Sequence, residues 1–126
     1  MVRLAAVAGL ILTAGLAGAQ PDAEAAKEKR AELSAQSLVV ACEAYYLNPQ
    51  SGDKYPEKLD QLVTPPFGGF GFVRKATDLI DPWGKAYRYR VAPGADGSPQ
   101  PFVWSEREVN GRTKVVGRKP PEPTKK

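Results

Sequence analysis

Hydrophobic and polar positions divide the chain into stretches of different character. Residues 4–19 are almost wholly apolar. From about Asp22 to Leu47 the apolar positions fall into helical register. Ala31, Ala35, Leu38, Cys42 and Tyr45 recur at spacings of three and four, with Ala41 alongside. "AEAAKEKRAELSAQ" is rich in strong helix formers and free of glycine and proline, and Asp22 stands where it can cap the first turn. The stripe widens after Leu38 into "LVVACEAYY". The second half of this helix is therefore expected to be buried, and the charged first half to project or pack loosely.

"LNPQSGDKYP" ends the helix with proline, glycine and a polar cluster. A short helix is expected next, with Pro56 at its first position and Leu59, Leu62 and Val63 on one side. "TPPFGGFGFVRK" carries two prolines and three glycines within eight residues and reads as a loop. Its Phe67, Phe70 and Phe72 either tuck into the core or form a contact surface. Gly68, Gly69 and Gly71 miss the spacing of a phosphate-binding loop, and no Lys-Ser or Lys-Thr pair comes after them.

Asp81-Pro82-Trp83-Gly84 places Asp, Pro and Gly at the first, second and fourth positions of a type I turn. "KAYRYRV" behind it alternates, with Tyr87, Tyr89 and Val91 facing one way and Arg88 and Arg90 the other. "PFVWSE" and "RTKVV" read as two further strands, the last entered through the Asn110-Gly111 turn signal. A long helix before an antiparallel meander defines an α+β fold: a helix packed on a small three-stranded sheet, with a short second helix and long loops.

Composition narrows the chemistry. One domain fits in 126 residues. The absence of histidine removes the commonest general base and the commonest metal ligand at neutral pH. Cys42 is the sole cysteine and sits on the helix stripe, where a small buried hydrophobe is the expected role. Asp53, Glu57, Asp60, Asp78 and Asp81 are mid-chain carboxylates, but their spacing singles out no acid–base pair. Asp81 is expected to turn the chain, and no catalytic residue is assigned.

"MVRLAAVAGLILTAGLAGAQ" has a basic start, an apolar run and the small-residue pattern Ala17-Gly18-Ala19. That predicts a secretory signal over 1–19, cleaved before Gln20, or otherwise an uncleaved membrane anchor. The domain then spans 20–117. Residues 118–126, "RKPPEPTKK", read as a solvated, disordered basic tail. An exported chain of mature net charge +3 is placed in the periplasm or cell envelope, and nucleic acid is not an expected partner.

Tyr55-Pro56, then a short Leu-rich segment, then "DPWG" with Tyr87 and Tyr89 behind it, then Pro93-Gly94, succeed one another in an order that resembles a known family. It is similar to the globular domain of protein G, the major pseudopilin of type II secretion systems, over roughly Ala31 to Ser105. "DPWGKAYRY" is the most specific element. The resemblance implies a helix on a small antiparallel sheet, assembly into a periplasmic fibre, and no chemistry. Many members bind calcium near the end of the domain, in an acidic loop after a serine matching Ser105. Here Ser105, Glu108 and Asn110 can supply oxygens, while Arg107 and Arg112 oppose a divalent cation, so calcium is not favoured and no cofactor is expected. A second departure is the apolar segment ending in Ala17-Gly18-Ala19, where the family has a short basic leader cut before its hydrophobic helix.

The favoured reading is a non-enzymatic exported structural or interaction protein. Its partners would be secretion-system components or copies of itself, with Phe67, Phe70, Phe72 and the exposed face of the strands, Arg88 and Arg90 included, in the contact surface. The alternative is an envelope module that binds an anionic polymer through Arg88, Arg90 and the basic tail.

Overall fold

The computed structural model describes the backbone of residues 3–121 and the side chains of residues 23–121. The expected signal segment, 1–19, falls outside the described side chains, and residues 122–126 of the expected tail fall outside the described residues. A single helix, α1, spans Arg3–Leu47. It starts at Arg3 rather than at Asp22, because the alanine- and leucine-rich stretch before Asp22 has the same helix preference as the residues after it. Pro21 lies within α1 and deprives it of one backbone donor.

The stripe read from spacing is the buried face. Ala31, Ala35, Leu38, Ala41, Cys42 and Tyr45 are all nearly inaccessible. They pack with Leu59, Leu62, Leu79, Tyr87 and Val103 into one core. Leu62 and Val103 are fully enclosed; cutting Leu62 back to alanine should cost about 2–5 kcal/mol.

After α1 a 3-10 turn at Pro49–Ser51 is capped by Asn48, whose Oδ1 accepts from the Gln50 amide at 2.8 Å. The second helix is only Asp60–Val63, here α2. Pro56 is not its first residue: it is buried ahead of the helix, where its carbonyl accepts the Tyr89 hydroxyl at 2.6 Å. That bond holds residues 55–56 against the sheet and delays helix entry to Asp60.

Three antiparallel strands complete the domain: β1, Arg88–Pro93; β2, Pro99–Val109; and β3, Arg112–Gly117. Their order is β1-β2-β3. Tyr89 stands opposite Val103, and Arg107 opposite Lys114. Strand alternation sends Val103, Ser105 and Arg107 toward α1 and sends Phe102, Trp104 and Glu106 to the outer face.

That outer face is covered by the chain itself. The Arg118 amide donates to the Val103 carbonyl at 2.9 Å. The Arg118 guanidinium lies 4.8 Å from the centroid of the Phe102 ring, Lys119 lies 3.6 Å from Glu106, and Pro120 is buried. Residues 118–120 are thus held on the sheet, whereas their composition placed them in a solvated tail. Phe102 and Trp104 form an aromatic patch beside the point where β3 ends, and the last residues of the chain have the nearest surface to bury.

Candidate functional site

Asp81 is the most connected polar residue of the domain. Its Oδ1 accepts from the Trp83 amide at 3.0 Å and from the Lys85 amide at 2.8 Å. Its Oδ2 accepts from the Ser105 hydroxyl at 2.7 Å. The Gly84 amide donates to the Asp81 carbonyl at 3.0 Å, closing the turn that the Asp-Pro-Trp-Gly order predicts. Gly84 takes φ +88°, a conformation that disfavours any other residue. Both carboxylate oxygens accept hydrogen bonds, three in all, and the residue is 5% exposed. Pro82 and Trp83 are partly buried beside it.

The corner delivers Tyr87 and Tyr89 to the core. Tyr87 is buried, and its amide donates to the Leu79 carbonyl at 3.0 Å. Tyr89 reaches across to residue 56 and lies against Cys42. Burial pushes the Cys42 thiol up to about 12, so it stays protonated at neutral pH and acts as a packing group.

A tryptophan, an arginine and three charged side chains meet on the helix side of the sheet. Arg107 sits with its guanidinium 3.7 Å from the centroid of the Trp83 ring. Its Nη2 donates to Glu24 at 2.9 Å and to Glu28 at 3.0 Å. The Trp83 indole N–H donates to Glu24 at 3.0 Å, and Lys114 Nζ donates to Glu28 at 2.8 Å. The charged stretch of α1 just after Asp22 is therefore gripped through Glu24 and Glu28, where the sequence suggested that it projects or packs loosely. Alternating charge on a helix reads locally as a solvated face, and partners 79 residues away leave no local signal.

The three phenylalanines separate. Phe67 and Phe72 pack against Tyr45, with ring centroids at 5.2 and 5.6 Å. Phe70 is 97% exposed. Of the three rings expected in the contact surface only Phe70 is fully outward, because the glycines around it let the loop turn two rings in and one out. Tyr46 and Tyr55 stack at 4.6 Å. They wall a groove of about 780 Å³ that also carries Pro56, Tyr89 and Arg90 and opens to solvent.

The candidate calcium residues do not converge. Ser105 is buried and bonded to Asp81. Glu108 points to the opposite face of β2 and accepts from Thr113 at 2.7 Å. Asn110 forms the turn between β2 and β3 at φ +53°. Arg88 and Lys119 share Glu106, at 3.8 and 3.6 Å, and Arg90 is exposed.

A long helix carrying an antiparallel three-stranded sheet, with a buried aspartate at the corner that leads into it, defines an α+β head. The chain matches the family model described as type II secretion system (T2SS), protein G, over residues 19–107, and it belongs to that family. It is 36% identical over 97 residues to the type II secretion system core protein G of Xanthomonas campestris pv. campestris. That match covers 75% of this chain and 62% of the relative, so the chain spans about three-fifths of the length of the curated protein it matches. No solved structure matches it. Neither comparison favours binding of an anionic polymer.

Proposed function

We propose that this protein is a non-enzymatic structural component of a type II secretion apparatus, exported to the cell envelope. In this reading the head, from Ala23 onward, packs against other secretion components or against copies of itself, and the amino-terminal part of α1 forms the stem. Family membership carries the reading. The way the domain uses its reactive side chains supports it: Asp81 is committed to the corner and Cys42 to packing. Among the described residues, Phe70, almost wholly exposed, is the large apolar side chain most open to a partner.

The test is intact mass and fractionation of the native protein, with in-cell cross-linking. Recovery in the membrane or a sheared-fibre fraction, retaining Leu4 to Ala19 and cross-linked to itself or to secretion components, supports the reading. A soluble form beginning at Gln20 with no cross-linked partner refutes assembly.

A further inference from the structure

Membership of the protein G family carries an expectation of calcium near the end of the domain, and the residues present there do not fit one. Calcium takes six to eight oxygens from a loop that can wrap it. Here β2 and β3 are joined by Asn110 and Gly111 alone, with Val109 paired to Arg112. The Ser105 hydroxyl is engaged with Asp81, and Glu108 lies across the sheet from it. Two cationic side chains occupy the space between hairpin and helix instead.

We infer that this chain holds its β2–β3 hairpin to α1 with a protein-borne cation clamp, Arg107 assisted by Lys114, and takes no calcium. Arg107 gathers Glu24 and Glu28 from one helix face, while Lys114, directly opposite it on β3, takes the second carboxylate as well. Trp83 roofs the guanidinium and fixes Glu24 through its indole N–H. The Asp81 corner is thereby tied into the same assembly, since its side chain holds the Trp83 amide. Exposed ion pairs contribute little. Arg107, however, is only 11% exposed, and its Nη1 is buried with no hydrogen-bond partner among the described residues. A guanidinium so enclosed is costly to leave unpaired, so losing either carboxylate or arginine is felt. The clamp grips the helix at the end where α1 leaves the head, and so sets the direction of the stem.

The test uses the full-length chain in detergent, with thermal unfolding and amide hydrogen exchange read in parallel. Calcium at about 2 mM, enough to fill sites of roughly millimolar Kd, is compared with chelator. The expected result is no shift in midpoint and no change in exchange. Arg107→Met should lower the midpoint by roughly 5–10 °C and speed exchange over Ala23–Arg30, and high salt should do the same in part. If Arg107→Met does not fold, Lys114→Met supplies the same readout with a smaller shift. A midpoint raised by calcium overturns the inference. So does exchange over Ala23–Arg30 that ignores loss of the clamp.

Discussion

The Ser105 hydroxyl donates to Asp81 Oδ2 across 2.7 Å, joining the Asp-Pro-Trp-Gly corner to the middle of β2. Both residues are buried, and they lie 24 positions apart in the chain. The corner is therefore more than a local turn: it is a bolt between the loop and the central strand. Asp81→Ala strips acceptors from the Ser105 hydroxyl and from the Trp83 and Lys85 amides. Leaving such donors buried should cost about 2–4 kcal/mol, or a midpoint lower by roughly 10 °C or more. Ser105→Ala should cost about 1–2 kcal/mol, since Asp81 keeps its two amide donors. Because both changes break the same bond, the double variant should melt close to Asp81→Ala alone. Thermal melts of the three variants check this, and an Asp81→Ala protein that melts with the wild type contradicts it.

The clamp predicts a direction of acid sensitivity. Hydrogen bonds from Lys114 and then Arg107 hold the Glu28 carboxyl below its ordinary value of 4.5. A carboxylate whose folded pKa is depressed stabilises fully above its unfolded value and loses that contribution as pH falls through the folded one. Stability should hold from neutral pH to about 5 and decline below 4.5. Glu28→Gln should melt lower at pH 7 and show a shallower decline in acid. Melting curves from pH 7 to 3 decide it; a Glu28→Gln protein with the wild-type acid slope would remove Glu28 from the account.

Gly117 closes β3 in a space that admits no side chain. Its φ is +110°, and a Cβ there would stand 2.8 Å from the Val103 carbonyl oxygen and 3.0 Å from the Ala35 Cβ. Strain and crowding act together, and neither neighbour is the flexible end of a long side chain. Gly117→Ala should destabilise by about 2–3 kcal/mol. Ala35→Gly in the same background relieves only the second contact and should restore little. Chemical denaturation of the two variants measures both effects.

How legible each feature was depends on how local its physics is. The stripe from Ala31 to Tyr45 could be read because helix periodicity is a property of consecutive residues, and each of those positions is buried. The Asp81 turn could be read because four adjacent residues specify it. The partners those elements touch could not be read. Arg107 meets Glu28 across 79 residues, and Glu24 across 83, with nothing in either segment to announce the other. Phe67 and Phe70 are three positions apart in one glycine-rich loop, and only the packed core decides that one turns in and the other out. The closing segment misled for the same reason. "RKPPEPTKK" has the composition of a solvated tail, but the aromatic patch that captures its first residues lies on β2.

That capture supplies the last prediction. Ending the chain at Gly117 removes Arg118 from the Phe102 ring and Lys119 from Glu106, and uncovers the outer face around Trp104. Exposing roughly 100 Å² of aromatic surface costs about 2.5 kcal/mol. Against that, ordering three or four residues on the sheet costs about 1–2 kcal/mol each in backbone entropy, less for the prolines. That cost opposes the aromatic burial, the Arg118 backbone hydrogen bond and its ring contact together, so the midpoint alone does not report the capture. The environment of Trp104 should change. Its indole N–H donates to Glu106 at 2.8 Å, whereas Trp83 donates to Glu24 on the opposite side of the sheet. In a nitrogen–proton correlation spectrum the truncation should therefore shift the Trp104 indole signal and leave that of Trp83 in place. Movement of both signals, or of neither, would mean that residues 118–120 do not cover this face in solution.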